Sequence, residues 1–587
     1  MNTKLAKSAN CSMRVLLVHP EDDLEAFAEC PAWDLVVDLA RAPVSTYEAW
    51  SRRARCRVIS LFDLAEPGKD LFRVRELLQY GMNRLVDDQG LDWWDILSVP
   101  LVPNLLRLLQ TQRVAAELGP VCELHATRTD WLCCAIGKAA GVPLKILEAR
   151  NRIRLRRVRR YLGAMQRLNV SQFFQVIQDK FDQQHKVRRR LRRRGKGLTH
   201  PVVLLPSAYI NVSRTAVEYA KVLPSEKFLL MCARRSAKVR ELPANVCLDF
   251  LDSYFTGCDE RELRRLRGLW IGTKSKLMDS SPEWRLAHEV GILNSMISQL
   301  EWGLAIRNAW NEVFESLDIT ACLSADDSNP YTRIPLMVGK KRGCAALACH
   351  HGALDYMMAI KTHHEDFYLA KNEMERDYLE TVCQVIPERI VVGGPVSSAG
   401  PSYEDSQKSW LVFFSEPYSA WGWRTEEIYR EILPRIAGLA KKLGLKAAIK
   451  IHPFESVKYH RRLLLRYLGS ERAGEVNILE GTFSTASWNK VRVAITVQST
   501  VGMECASRGI PIFFCQWLQN AHSGYLLQFA RFSVGYMLKS VDEMDEIPEL
   551  IETYDPRQPA GILSNKIDSY EFRSLLKNQP LREVVTL

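Results

Sequence analysis

A chain of 587 residues, 47% hydrophobic and 9% aromatic, can bury several hundred residues of core, which excludes a disordered chain and points to two to four domains. No apolar run reaches the roughly 18 to 20 residues of a membrane span, and no leader pattern marks the N-terminus, so the expected location is the cytoplasm. The net charge of +12 is local: seven arginines between 150 and 160 and eight lysines and arginines between 186 and 196 stand in acid-free blocks, and the rest of the chain is slightly acidic.

In chain order, Met13 to His19, Arg57 to Leu61 and Cys122 to Leu124 read as short buried strands, with helical spacing at 71–86 and 103–117 between them. The polar turn from His125 to Asp130 predicts a helix start, and Gly141 with Pro143 predicts its stop. This α/β segment, 13–149, gives way to a basic stretch at 150–200, where Ile153, Leu155 and Val158 between arginines predict an amphipathic helical excursion. The α/β rhythm restarts at Val202 to Pro206, with a helix near 213–221, a strand at Phe228 to Cys232 and a mainly helical insertion across 240–315.

Thr320 to Leu323 is the next predicted strand, Ser328-Asn-Pro330 opens a helix and Gly343 closes it. Strands follow at Ala345 to Cys349, Asp366 to Leu369 and Arg389 to Val392, with an Asn372 and Glu375 capping box before the last. Gly393-Gly-Pro395 and the polar stretch to Ser409 predict a hinge. Residues 201–400 then complete an N-terminal acceptor domain, 405–550 form a C-terminal nucleotide-donor domain, and 551–587 are a tail. In the donor domain, strands at Trp410 to Phe414, Ala447 to Ile451, Val476 to Leu479, Val493 to Val497 and Ile512 to Phe514 alternate with helices that include 424–443 and Thr500 to Arg508. The alternation predicts an α/β chain of two Rossmann-like domains with parallel sheets and a mainly helical insertion, binding ligands at the carboxyl ends of strands.

Several strand ends carry candidate chemistry. Lys450-Ile-His452-Pro453 turns His452 out of the helical region, where its ring can donate to a phosphate or simply stand in solvent. In the run from Thr496 to Glu504, Ser499 is placed to cap a helix whose free first-turn N–H groups, with Thr500, make an anion site. Gly502 permits close approach, and Glu504 suits ribose hydroxyls or the helix dipole. Ser415 opens a loop of hydroxyls suited to a diphosphate, in which Trp421 and Trp423 stack on a base or join the core.

In the preceding half, Cys349-His350-His351-Gly352 is the candidate reacting centre, because a strand-end histidine has the right range to take a proton from a hydroxyl. Neighbouring side chains on an extended segment point to opposite sides, so one of the pair is expected to face an acceptor. Asp326 and Asp327 end the strand before it and can hold acceptor hydroxyls or orient the histidine; Asp327 is assigned as the catalytic carboxylate. A lone Asp-Asp without a DxD pattern argues against a metal. The fifteen cysteines, scattered without a CxxC pair, argue for reduced thiols and against structural zinc.

His351-Gly352, His452-Pro453 and Ser499-Thr500 resemble, in kind and order, motifs of the GT-B glycosyltransferases of bacterial surface-polysaccharide synthesis, including sialyl and Kdo transferases of the capsule type and the related glycerophosphate transferases of teichoic acid synthesis. The resemblance spans roughly residues 318–515. It implies that His351 is the general base and that His452, Ser499 and Thr500 grip the donor phosphate; Ser415, Lys450 and Glu504 are the further donor-binding candidates that the strand ends offer. It further implies inverting, metal-independent transfer from a nucleotide-sugar co-substrate, with no bound cofactor, to a cell-surface glycan or lipid-linked acceptor. A sugar-nucleotide epimerase of the same architecture is the alternative enzyme. The arginine runs of 150–197 open two further uses: nucleic-acid binding, against which no aromatic residues interleave the arginines, and peripheral docking on an anionic membrane, which suits a lipid-linked acceptor. No nucleic-acid partner is expected.

Overall fold

A computed structural model describes residues 13–19, 33–39, 56–118, 122–126, 128–147, 200–396, 408–418, 425–452, 455–481, 483–519, 525–555 and 560–578. The basic excursion of 150–197, Trp421, Trp423 and Pro453 lie outside them. Three parallel sheets carry the fold. In the first, β1 (Met13–Val18), β2 (Leu35–Asp38), β3 (Arg57–Ser60), β4 (Cys122–Ala126) and β5 (Leu144–Ile146) lie in the order β3-β2-β1-β4-β5.

The second holds β6 (Val202–Ser207), β7 (Phe228–Cys232), β8 (Val246–Phe250), β9 (Ile319–Ser324), β10 (Ala345–Ala348), β11 (Phe367–Ala370) and β12 (Ile390–Val392), ordered β12-β11-β10-β9-β6-β7-β8. The third holds β13 (Trp410–Phe414), β14 (Lys446–Lys450), β15 (Val476–Leu479), β16 (Val491–Thr496), β17 (Ile512–Cys515) and β18 (Tyr536–Leu538), ordered β15-β14-β13-β16-β17-β18. The second and third sheets are each Rossmann-like.

Each sheet reverses its winding once: between β1 and β4, between β6 and β9, and between β13 and β16. At such a reversal the loops leaving two neighbouring strands turn to opposite faces of the sheet, and a crevice opens at the carboxyl edge. The strands read as continuous apolar runs because helices cover both faces; all of β6, β7 and β10 is buried.

Two expectations need correction here. Residues 13–146 form a sheet of their own and do not join that of 202–392. Within the stretch read as helical, Val246–Phe250 is the edge strand β8, half-exposed and therefore without a continuous apolar signal. The rest of the insertion is helical: Glu260–Ser280, Pro282–Glu289 and Met296–Ser316 pack on Trp93–Ser98 and Val102–Leu118 around Trp93, Trp94, Trp270, Trp284 and Trp310. Gly303 lets the helices close up, since a Cβ there would stand 2.3 Å from the Trp93 ring.

Helix starts follow the sequence. Asp130 accepts the Cys133 N–H at 2.9 Å and caps Trp131–Ala140. Asn329 accepts the Tyr331 N–H at 3.1 Å and caps Pro330–Lys341, with Pro330 in the first position where its missing N–H costs nothing. The capping box at Asn372 is offset: Asn372 takes the Glu375 N–H at 3.0 Å, but Glu375 reaches back to the Lys371 N–H at 2.8 Å.

The expected tail is structural. Helix Ser569–Leu576 returns to the second sheet and buries Phe572, Leu575 and Leu576 in its core. On the way, the Ile562 carbonyl accepts Asn372 Nδ2–H at 2.9 Å, and Gly394 bridges to Lys566. Among the described residues, no helix is long and apolar enough to cross a membrane.

Candidate functional site

At the reversal of the second sheet, Tyr209, Asp326 and the pair His350 and His351 follow the carboxyl ends of the neighbouring strands β6, β9 and β10. Asn329 Nδ2 donates to the Tyr209 hydroxyl at 2.8 Å and lies 3.4 Å from Asp326 Oδ2. Asp326 Oδ1 accepts the Ser328 N–H at 2.9 Å and also the Ser328 hydroxyl. Burial favours the protonated acid, but the two imidazoles and the Ser328 bonds outweigh it and hold Asp326 below the usual carboxylate range.

The two imidazoles do not point to opposite sides. Their centroids are 4.6 Å apart with the planes at 37°. The strand has ended at Ala348, and Gly352 N–H donates to His350 Nδ1 at 3.2 Å, drawing that ring back over its own loop. Burial lowers the pKa of both histidines against the pull of Asp326, so both are neutral near pH 7 and able to accept a proton. His350 is fixed by its backbone bond. His351 Nδ1 is buried with no hydrogen-bond partner among the described residues, a condition worth roughly 1–3 kcal/mol that a ligand hydroxyl would relieve. Its ring faces Tyr209 at 6.4 Å, and the Arg234 guanidinium, past the end of β7, stands over Tyr209 at 6.0 Å and Tyr331 at 5.4 Å.

Asp327 lies elsewhere. It is 1% exposed and paired with Lys361, with Arg333 Nη1 3.5 Å away. Arg333, itself fully buried, reaches on to Asp95 at 2.8 Å. These cations outweigh burial and hold Asp327 well below the usual range. The carboxylate expected beside the histidine is therefore Asp326, and Asp327 binds the fold together beneath it.

At the reversal of the third sheet, Ser415 and Glu416 follow β13, Lys450 and His452 end β14 or follow it, and Gln498, Ser499 and Thr500 follow β16. Ser415, buried, donates its hydroxyl to Glu455 and accepts that of Tyr429 at 2.6 Å; Tyr429 also contacts His460 Nε2 at 2.8 Å. Glu455 accepts the His452 N–H at 3.1 Å, and burial raises its carboxyl to about 7. Glu416 accepts the Gln498 N–H at 2.8 Å and the Thr496 hydroxyl at 3.2 Å, yet burial pushes it up to about 8. Burial and then Lys450 bring His452 down to about 4, so its imidazole is neutral. Lys450 Nζ donates to the Ile451 carbonyl at 2.8 Å, with its pKa lowered by burial.

The helix start differs in detail from the expected one. Ser499 Oγ accepts the Val501 N–H at 3.3 Å, but Thr500, exposed, holds the cap position of a helix that runs only Val501–Ser507. Gly502 serves packing: a Cβ there would lie 2.4 Å from the Phe514 ring. Glu504 is exposed, and Arg508 lies one turn further on.

The two clusters belong to units in contact. Ala353, one residue past Gly352, is buried in the same apolar cluster as Phe414 and Phe514 of the third sheet, together with Met374. Sequence reasoning had not singled out Tyr209, Arg234, Glu416 or Glu455; each follows a strand or sits in the loop after one, a positional signal that was available.

No family model matches the chain, and no curated protein sequence matches it. Its neighbours among solved structures include a UDP-GlcNAc 2-epimerase from Neisseria meningitidis bound to UDP-GlcNAc, with 13% identity, 65% of this chain and 98% of that one covered, and a TM-score of 0.36. The spinosyn rhamnosyltransferase SpnG, complexed with thymidine diphosphate, is 14% identical, with 64% and 99% covered and a TM-score of 0.37. The wall teichoic acid polymerase TagF is 11% identical, with 73% and 98% covered and a TM-score of 0.34. At these scores they are distant neighbours, and both a transferase and an epimerase stand among them.

Proposed function

We propose that the chain is an inverting glycosyltransferase that moves a sugar from a nucleotide-activated donor, held at the reversal of the third sheet, to a hydroxyl of a glycan or lipid-linked acceptor at the reversal of the second. The observation that carries this reading is the neutral His351, whose buried Nδ1 lacks a partner, in a loop anchored through Ala353 to the third sheet's core. His351 takes the acceptor proton as the oxygen attacks the anomeric carbon, and Asp326 stabilises the imidazolium that forms.

On the donor side, the departing phosphate needs hydrogen-bond donors and no facing negative charge. His452, Lys450, Ser499 and Thr500 supply the donors. Glu416, raised by burial to about 8, and Glu455, raised by burial to about 7, carry less of the repulsion that fully ionised acids would add. Glu504 is the candidate for the ribose hydroxyls. With these groups in place, the step takes no divalent ion at the donor.

Incubation with CMP-, CDP-, UDP- and GDP-sugars and candidate acceptors, followed by chromatography, tests the proposal. Release of a nucleotide together with a glycosylated acceptor supports transfer. An isomerised sugar nucleotide with no nucleotide released identifies the epimerase instead.

A further inference from the structure

The second and third sheets each carry polar groups where their winding reverses, and the first sheet does too. His19 follows β1 and Asp130 follows β4, the two strands between which that sheet reverses; Cys133 lies in the first turn of the helix that Asp130 caps. His19 Nε2 lies 3.3 Å from Cys133 Sγ and 3.3 Å from Asp130 Oδ2, and all three atoms fall within 4.8 Å of one another. His19 and Cys133 are buried, and Asp130 is half-buried.

We propose that His19, Asp130 and Cys133 bind a zinc-type divalent cation. A proton relay would need the carboxylate and the thiol on different ring nitrogens, as in a nucleophile, base and orienter arrangement. Here both approach the same nitrogen, Nε2, which is how ligands converge on a common centre. Ligand atoms about 2.0–2.3 Å from a tetrahedral zinc stand about 3.3–3.6 Å apart, and the two contacts to Nε2 fall at the lower edge of that range.

The ligand chemistry suits zinc, which takes imidazole, thiolate and carboxylate together, whereas magnesium and calcium select oxygen alone. The second Asp130 oxygen, Oδ1, is held by the Cys133 N–H at 2.9 Å, and Arg128 Nε stands 4.0 Å from Oδ2, so the carboxylate is oriented by its surroundings. Binding replaces the thiol proton of Cys133, which leaves to solvent, with the metal. Three protein ligands leave a fourth position for water.

The spacing hides the site from a motif search. His19 and Cys133 are 114 residues apart and are brought together only by the pairing of β1 with β4.

The full chain, purified without a metal-affinity step, should carry about one zinc per molecule by elemental mass spectrometry. Exchange with cobalt(II) should give a thiolate-to-cobalt charge-transfer band that Cys133→Ser abolishes and Cys134→Ser keeps. Removing zinc with a chelator should lower the thermal midpoint of the wild type, and adding it back should restore it, while that of His19→Gln stays unchanged. If either ligand variant fails to fold, the wild-type zinc content and cobalt spectrum still decide. Wild-type protein that takes up no zinc, or a band that survives in folded Cys133→Ser, would overturn the proposal.

Discussion

The reversals of the second and third sheets treat their carboxyl groups in opposite ways. Beside β9, Asp326 lies below the usual carboxylate range despite its burial, next to the two histidines and accepting from Ser328, and Asp327 is held low by Lys361 and Arg333. Beside β13, Glu416 and the nearby Glu455 are raised to about 8 and about 7, where burial dominates and their hydrogen bonds only partly offset it. Under the proposed function, the difference matches the charge each place would face. A site that collects a proton on histidine gains from a neighbouring anion, whereas one that accommodates a diphosphate gains from acids that keep their protons.

The largest effect that would break this comparison lies at the histidine pair. General base catalysis typically contributes about 10² to 10⁴ in rate, so His351→Ala should lower kcat by that factor. His350→Ala should cost less, because His350 Nδ1 is occupied by the Gly352 N–H. Equal, mild effects from the two would return His351 to a structural role.

The two aspartates sharpen the comparison further. Asp327→Asn leaves Lys361 and Arg333 buried beside a neutral group, and breaking such a pair costs about 3–5 kcal/mol, which urea unfolding should read as lost stability. Asp326→Asn should instead lower kcat about tenfold to a hundredfold, the worth of about one to two pKa units of electrostatic support for the imidazolium. Lost stability in Asp326→Asn with an unchanged rate would reverse the two roles.

On the donor side, His452→Ala should weaken nucleotide affinity by about 1.5–3 kcal/mol in calorimetry if a phosphate accepts from that ring. Glu416 gives a pH signature of known sign. Its folded value of about 8 lies above the ordinary 4.5, so the folded chain binds the proton more tightly, and its contribution to stability falls as pH rises from about 4.5 to 8. Glu416→Gln should flatten the stability profile across that window and remove any loss of donor affinity above pH 8. The smallest expected effect is that of added magnesium or manganese on turnover, which should be negligible if the protein's own donors serve the leaving group.

Much of the framework was legible because it is local. Asn329 before Pro330, Asp130 before the apolar run from Trp131, and the alternation after residue 400 each carry their signal within a few residues. What was not legible depends on distant partners. Asp326 and Asp327 are adjacent, and only Lys361, 34 residues on, and Asp95, through Arg333, decide which of them faces away from the histidines. Gly502 reads as room for a ligand until Phe514 fills it. Glu455 is raised by burial among residues distant in sequence, and the hydroxyl of Ser415, 40 residues earlier, offsets only part of that. In the first sheet the strands at Met13, Arg57 and Cys122 were read, and β2 and β5 were missed because they are too short to stand out as periodic runs.

The central claim is that chemistry and donor binding are divided between the two reversals, and one pair of variants tests it most directly. Donor affinity by calorimetry and nucleotide release by chromatography, both measured on His351→Ala and His452→Ala, should separate. His351→Ala should bind the donor as the wild type does and release almost no nucleotide, while His452→Ala should bind more weakly and lose rate in proportion at low donor. Loss of donor affinity in folded His351→Ala, or wild-type release from it, would contradict the division.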